Sequence, residues 1–179
     1  MATGGDATGW LLLGGVTGAG LLSGLYFIFS FCVMQALDEQ PPASAIATMN
    51  AINIDIVNAP FVLVFMGTPI VCAFLLARTL KEGIRASLDN TYTAAGAMTL
   101  VVFEFLLTLI VHVPKNDALA AYSPGSGNDA SIWSSYYKTW TPWNHVRMAA
   151  SVATVVLLSM AHHQRSARLA LSQLQTQLQ

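Results

Sequence analysis

Apolar residues fall into four long runs that are separated by polar or proline-rich breaks. The runs cover residues of about 10–37, 60–80, 91–113 and 142–163. A helix that crosses a bilayer needs about 20 mostly apolar residues, and each run reaches that length. The pattern therefore predicts an all-α fold, an integral membrane four-helix bundle in which residues 1–179 form a single membrane domain.

Two other segments have helical periodicity but are too polar to span a membrane. Residues of about 44–58 carry a polar stripe that includes Asn50 and Asn53 among apolar neighbours, which predicts an interfacial helix. Its stripe is either a solvated face or a group of amides turned towards the bundle interior. Residues 164–179 have apolar side chains at helical spacing, which predicts an amphipathic C-terminal tail that lies on the membrane or binds a partner.

The composition supports a lipid-facing surface. Hydrophobic residues make up 54% of the chain and charged residues 9%, whereas a soluble domain has about 25% charged residues. Membrane lipid is therefore the first expected partner. The formal net charge is -1 and there is no basic block, so nucleic acid is not an expected partner.

The positive charges predict an orientation. The loop between the second and third runs contains Arg78, Lys81 and Arg85, and the C-terminal tail contains Arg165 and Arg168. Lys and Arg accumulate on the cytoplasmic side of membrane proteins, so both termini are expected inside. The membrane is either a bacterial plasma membrane or an organelle inner membrane.

Four glycines in the first run lie at four-residue spacing, as Gly14 and Gly18 and again as Gly20 and Gly24. Glycines at this spacing let another helix approach closely. They indicate either packing within the bundle or the interface of a homo-oligomer.

Glu104 interrupts the third run near its middle. A carboxylate inside a membrane is costly unless it is paired, neutral or next to water, and we expect Arg147 or a histidine as its partner. Thr108 and His112 follow at four-residue steps and should share its face. Glu104 is therefore either half of a structural ion pair or a proton acceptor in an internal cavity.

His112 and His145 end the third run and begin the fourth, so they are expected at similar membrane depth. Two such histidines are able to ligate haem, or a metal together with Glu104 or Asp117. No clustered spacing supports a metal site, so the sequence predicts no metal ligands, and haem or a metal through these histidines stays a minor alternative. The tryptophans and tyrosines near this level are typical of an interfacial aromatic belt.

Several motifs resemble those of the anthrone oxygenase family, which consists of small four-helix membrane proteins. They are FSFCVMQAL at 29–37, PP at 41–42, MNAIN at 49–53, VPKNDAL at 113–119 and WTPWNHVR at 140–147. The resemblance implies a cofactor-independent oxygenase or oxidase that acts on an aromatic, polyketide-type substrate. In such a reaction a base removes an acidic proton from the anthrone, and the carbanion reacts directly with dioxygen.

This chemistry needs a base, a flat apolar pocket and donors for an oxyanion. The polar cluster and the resemblance together give the candidate catalytic residues His112, His145, Arg147 and Glu104. The candidate substrate-binding residues are Asn50, Asn53, Asn116, Asp117, Trp143 and Asn144, and Phe61 is expected to help cover the ring.

Two other function classes remain open. The glycine-lined first helix and the amphipathic tail would suit a non-catalytic accessory subunit of a larger membrane complex. Glu104 in mid-membrane would suit a small proton-handling or transport protein, although four helices are few for a carrier.

Overall fold

The computed structural model describes residues 6–178, and within that range the chain is helical with no strands. The helices are α1 (Ala7–Asp38), α2 (Pro42–Asp55), α3 (Ala59–Glu82), α4 (Leu88–Ala120) and α5 (Asp129–Gln177). All of them except α2 are long and apolar enough to cross a membrane. The predicted fold class, an all-α membrane bundle with four spans, is confirmed.

Local sequence signals start and stop the helices around α3. The side chain of Asn58 accepts a hydrogen bond from the backbone N–H of Phe61 at 3.1 Å, which caps the start of α3. Gly83 follows the last residue of α3 with a φ of 94°, a backbone conformation that favours glycine. Ser87 then caps the start of α4 in the same way as Asn58 caps α3.

The helices extend further than the apolar runs that predict them. α4 continues to Ala120 and α5 begins at Asp129, before Pro142. The tail predicted at 164–179 is continuous with the last span as far as Gln177. With 49 residues, α5 is about 70 Å long, far more than the ~30 Å hydrocarbon core. Hydropathy detects only the part of a helix that contacts lipid, so the polar helix ends did not appear in the sequence pattern.

The second helix, α2, covers one end of the bundle. Its residues Ala45, Ile46 and Met49 are fully buried, and they pack in one apolar cluster with Leu119 and Trp133. The predicted interfacial helix is therefore a packed cap whose apolar face is turned into the protein.

An apolar layer closes the opposite half of the bundle. Each of the long helices contributes to it, with Leu12, Cys72, Leu75, Leu100 and Leu158 buried at 0–1% exposure. Large apolar side chains on the outside of the same helices are exposed, as expected of a surface in contact with lipid.

The glycines of α1 have different environments. A Cβ atom added to Gly18 would lie 2.0 Å from the Thr68 hydroxyl oxygen, so α1 and α3 are in close contact there. A Cβ added to Gly14 or Gly24 would meet nothing within 4 Å. Gly18 therefore serves packing within the bundle, whereas Gly14 and Gly24 lie on the outer face.

We expect Gly18→Ala and Gly24→Ala to have opposite effects. Gly18→Ala should lower the free energy of unfolding by about 1–3 kcal/mol, because the methyl group overlaps Thr68. Gly24→Ala should be neutral or should stabilise by up to about 1 kcal/mol through higher helix propensity. Thermal unfolding of both variants in detergent, followed by circular dichroism, measures the difference, and equal effects would contradict the α1–α3 contact.

Ion pairs join the helix ends beyond the apolar layer. Arg165 of α5 donates to both carboxylate oxygens of Asp6, at 2.7 and 2.8 Å, and Arg168 donates to the buried Asp89 of α4 at 2.7 Å. The hydrogen bonds from the Arg165 guanidinium lower the pKa of Asp6 below its ordinary value. The N-terminal end of α1 is thereby tied to α4 and α5.

The Asp6 ion pair predicts a pH dependence of stability. The pKa of Asp6 is lower in the folded protein than in the unfolded chain, so the ion pair stabilises the fold above about pH 4. This stabilisation is lost as the pH falls through the pKa that Asp6 has in the folded protein. Asp6→Asn should therefore lower the melting temperature at pH 7 and have a smaller effect at pH 3. The difference at pH 7 should correspond to less than about 1 kcal/mol, since Asp6 is partly exposed.

Asp55→Asn is the matched control for this measurement. It removes an exposed carboxylate that has no ion-pair partner among the described residues. A pH-independent effect of Asp6→Asn, or an equal effect of the control, would show that the ion pair does not contribute.

Candidate functional site

A cavity of about 260 Å³ lies beneath α2, and all of the helices contribute to its walls. Small-molecule sites typically measure about 300–1,000 Å³ and are mostly apolar with a few placed polar groups. The polar or partly polar side chains that line this cavity are Tyr26, Asn53, Thr108, His112, Asn116, Trp140 and Arg147. The remaining lining is aliphatic or phenyl, so the cavity suits a small, mainly apolar ligand.

Two stacked phenyl rings of α3 line the cavity. The rings of Phe61 and Phe65 are nearly parallel, at 14°, with centroids 5.3 Å apart. Phe61 was predicted to cover an aromatic ring, and the structure places it against the cavity. Aromatic rings in the lining suit a planar aromatic ligand.

Arg147 carries a buried positive charge in the cavity wall. It is 6% exposed, and its two terminal nitrogens donate to Asn144 Oδ1 at 2.7 Å and to Thr108 Oγ1 at 3.2 Å. The guanidinium carbon lies 4.4 Å from the ring centre of Tyr26 and 5.4 Å from that of Trp140. Neutral oxygens and aromatic faces therefore hold this cation.

Asn144 fixes the position of Arg147. Its side chain is fully buried, and its amide nitrogen donates to the carbonyl oxygen of Tyr26 and to the hydroxyl oxygen of Ser30, both at 2.8 Å. The same amide accepts from Arg147 through its oxygen. Asn144 does not line the cavity, so it positions Arg147 and joins α5 to α1, whereas the sequence predicted that it binds substrate.

Glu104 has a different partner from the one that the sequence predicts. One carboxylate oxygen accepts a hydrogen bond from the hydroxyl of Tyr26, while the other has no hydrogen-bond partner among residues 6–178. No ion pair within 4 Å joins Glu104 to Arg147 or to a histidine in the same range. The expected ion pair of Glu104 with Arg147 or a histidine is therefore wrong, because Tyr26 bonds to the carboxylate and Arg147 donates to Asn144 and Thr108 instead.

His112 lines the cavity with an unsatisfied imidazole. It is 1% exposed, and neither ring nitrogen has a hydrogen-bond partner in the described part of the chain. Its ring packs edge-to-face on Trp140 with centroids 5.0 Å apart. A buried polar group without a partner destabilises the fold, which is typical of residues that are retained for a function.

Wide helical turns explain why the residues of α4 share one face. Residues four apart drift by about 40° per step around an α-helix with 3.6 residues per turn. α4 contains π-helical turns at Val101–Leu106 and Thr108–His112, which reduce this drift. Glu104, Thr108 and His112 are consequently all buried, as their spacing predicted.

Asn116 and Asn53 close the cavity between α4 and α2. The amide nitrogen of Asn116 donates to Asn53 Oδ1 at 3.1 Å. The amide oxygen of Asn116 accepts from Tyr136 at 2.8 Å and from the indole nitrogen of Trp140 at 3.0 Å. Both asparagines were predicted to bind substrate, and the structure brings them together in the cavity wall.

Other predicted site residues lie outside the cavity. His145 is partly exposed with its ring against Phe31, 5.4 Å between centroids, and Trp143 is 44% exposed on the outer surface. Asp117 is exposed, and Asn50 donates at 3.4 Å to the carbonyl oxygen of Leu119. His112 and His145 therefore have separate surroundings, and residues 6–178 contain no group of three or more His, Cys, Asp or Glu that is able to hold a metal ion.

The sequence analysis did not single out Trp140 or Tyr26 as site residues, and Tyr26 is the hydrogen-bond partner of Glu104. It is the one tyrosine in the first apolar run, and a buried phenol needs a hydrogen-bond partner. This requirement could have marked Tyr26 as a site residue. The sequence did not identify its partner, however, because Glu104 lies 78 residues further along the chain.

The fold and the cavity together define an integral membrane helical bundle with an internal candidate ligand site. The family model described as anthrone oxygenase matches residues 61–157, which is more than half of the chain. The chain therefore belongs to the anthrone oxygenase family. No curated protein and no solved structure gives a significant match.

The matched range contains only part of the site. Glu104, His112 and Arg147 lie within residues 61–157, whereas Tyr26 and Asn53 lie before them. The motifs at 113–119 and 140–147 fall inside the match, and those at 29–53 fall outside it. The resemblance of this N-terminal part to the family stays a prediction.

The site predicts contrasting effects of two substitutions. His112→Leu should change the free energy of unfolding by less than about 1 kcal/mol, because no hydrogen bond is lost and a buried unsatisfied group is removed. Asn144→Leu should destabilise by at least about 2 kcal/mol, because it leaves several buried groups without partners. Thermal and denaturant unfolding in detergent compares the two, and an equally large loss for His112→Leu would reveal a structural role for the histidine.

Proposed function

We propose that the cavity binds a planar, lipid-soluble aromatic molecule of the anthrone type and that the protein catalyses its oxidation by dioxygen to a quinone. The observation that carries this proposal is the position of His112. The imidazole of His112 and the buried cation Arg147 both line this mostly apolar cavity, and neither ring nitrogen has a side-chain hydrogen-bond partner within residues 6–178. A base next to a fixed positive charge suits the formation of a carbanion or enolate.

The first step is removal of a proton from the methylene carbon of the anthrone by His112. The neutral imidazole carries a lone pair on one ring nitrogen and is able to accept this proton. The electron pair left on carbon spreads onto the carbonyl oxygen, and Arg147 stabilises the resulting oxyanion. The proton remains on the imidazole until it is released.

The carbanion then reacts with dioxygen at the same carbon, and the peroxide anion that forms takes the proton from the His112 imidazolium to give a hydroperoxide. Loss of the second proton from this carbon, with cleavage of the O–O bond, forms the new carbonyl and releases water. One anthrone and one dioxygen thus yield one anthraquinone and one water, with carbon oxidised and oxygen reduced. The proposed role of the protein is limited to binding, deprotonation and stabilisation of the anion.

The cavity supplies the remaining requirements of this reaction. The rings of Phe61 and Trp140 lie against it and provide surfaces for a planar ligand. Trp140 thereby replaces Trp143, which was predicted to cover the ring but is exposed on the outside. Asn116 and Asn53 mark the polar edge of the cavity, where a ligand carbonyl or hydroxyl group finds amides.

Oxygen uptake with a hydroxylated anthrone tests this proposal directly. The purified protein in detergent should consume dioxygen faster than the uncatalysed background. His112→Ala should reduce the rate by about 10²–10⁴-fold through loss of the base. Arg147→Lys should reduce it by about 10²-fold through misplacement of the positive charge. His163→Ala, an exposed histidine at the opposite end of α5, is the matched control and should keep the full rate.

A protein that gives no uptake above background, or a His112→Ala variant that keeps the full rate, would contradict the proposal. The accessory-subunit hypothesis would then be the better candidate. It is supported by the end of α5, where Leu171, Leu174 and Leu178 are exposed beyond the bundle. Native mass spectrometry after mild detergent extraction would show whether the chain purifies within a larger complex.

A further inference from the structure

The buried cation of the site has no carboxylate partner. Every oxygen that accepts a hydrogen bond from Arg147 belongs to a neutral side chain, Asn144 or Thr108, and its Nε has no partner in the part of the chain that the structure describes. A cation in a medium of low dielectric constant needs a nearby negative charge. Arg147 is therefore ready to pair with an anion that enters the cavity.

Glu104 supplies the balancing negative charge from behind Tyr26. The guanidinium lies over the ring of Tyr26, and the hydroxyl of the same residue donates to the carboxylate of Glu104. Tyr26 thus separates the two charged groups, although all of them are buried within one cluster.

Tyr26 also connects Glu104 to the cavity. Tyr26 lines the cavity, whereas Glu104 does not. A phenol oxygen that donates its own hydrogen is still able to accept another hydrogen bond. A ligand hydroxyl group next to Tyr26 would therefore have a continuous path for its proton to Glu104.

We propose that a hydroxyl proton of the aromatic ligand passes through Tyr26 to Glu104 while the ligand oxyanion pairs with Arg147. The ligand O–H bond breaks as a new O–H bond forms on Tyr26. The original tyrosine proton moves to Oε1 of Glu104. No electrons are transferred, the carboxylate becomes neutral and the ligand gains one negative charge. The inference rests on the proposed function and adds the path of the proton at its site.

This transfer keeps the total charge of the buried cluster constant. Before the transfer, the negative charge of Glu104 balances the positive charge of Arg147 from a distance. After the transfer, the ligand oxyanion balances that charge in direct contact. Another ionisable group near the carboxylate is the Cys72 thiol of α3, and His112 of α4 lines the cavity, while α2 contributes no ionisable side chain to it. The exchange therefore needs no ion from solvent.

Alizarin, a dihydroxyanthraquinone whose visible absorption reports ionisation of its hydroxyl group, tests the inference without any oxidation. The wild-type protein in detergent should bind alizarin as the anion at a pH where the free dye is mostly neutral. Glu104→Gln removes the proton acceptor, and Tyr26→Phe removes the path to it. The wild type should therefore bind the anion without releasing a proton into a weakly buffered solution. Glu104→Gln should release about one proton per bound anion, because the solvent is then the proton acceptor. Tyr26→Phe should slow the appearance of the anion at least about tenfold.

Tyr92→Phe is the matched control, because it removes a phenol hydroxyl from α4 at the other end of the bundle, next to the apolar layer. It should bind the anion as the wild type does. Neutral bound alizarin in the wild type, no binding, or release of as many protons per bound anion by the wild type as by Glu104→Gln would overturn the inference. Since the titration needs no dioxygen, each of these results is separate from the oxygen-uptake test.

Infrared difference spectroscopy of the wild type provides a second measurement that needs no stable variant. Binding of alizarin should produce the C=O stretching band of a protonated carboxylic acid, and this band should shift in D₂O. Bound alizarin without such a band would overturn the assignment of Glu104 as the proton acceptor.

Discussion

The burial of the Arg147 guanidinium within a membrane bundle constrains the whole site. A membrane interior offers no water to solvate the charge, so the protein surrounds it with neutral acceptors and aromatic faces. Asn144 holds one side of the guanidinium and is itself anchored to α1. The position of α1 against α5, the orientation of Tyr26 and the shape of the cavity all follow from this single requirement.

Polar groups are distributed unequally along the bundle. The cavity and its buried charges lie in the half that α2 covers, and an apolar layer that includes Leu100 and Leu158 separates them from the ion pairs of Asp6 and Asp89. Within the described residues, the buried polar cluster therefore faces the cavity and stops at this layer. This arrangement suits chemistry on a bound ligand better than transfer of protons across the membrane, the third function that the sequence left open.

The site residues show how far local sequence patterns reach. His112 and Asn116 were predicted from their position at the end of an apolar run, and both line the cavity. His145 satisfied the same criterion, yet its ring lies against Phe31 on the other side of α5. Whether such a histidine faces the cavity depends on how its helix is rotated about its own axis. The hydropathy pattern does not specify this rotation when most faces of the helix are apolar.

The sequence by itself determined that the chain is helical, that it has four spans and that Glu104 and Arg147 are buried charges in need of compensation. These properties depend on consecutive residues, because hydropathy and the cost of a charge in lipid act on each helix separately. Only the tertiary structure decided that Glu104 bonds to Tyr26, that Arg147 turns towards a cavity and that α2 covers it. Those outcomes depend on contacts between residues far apart in the chain, and packing rather than local preference selects them.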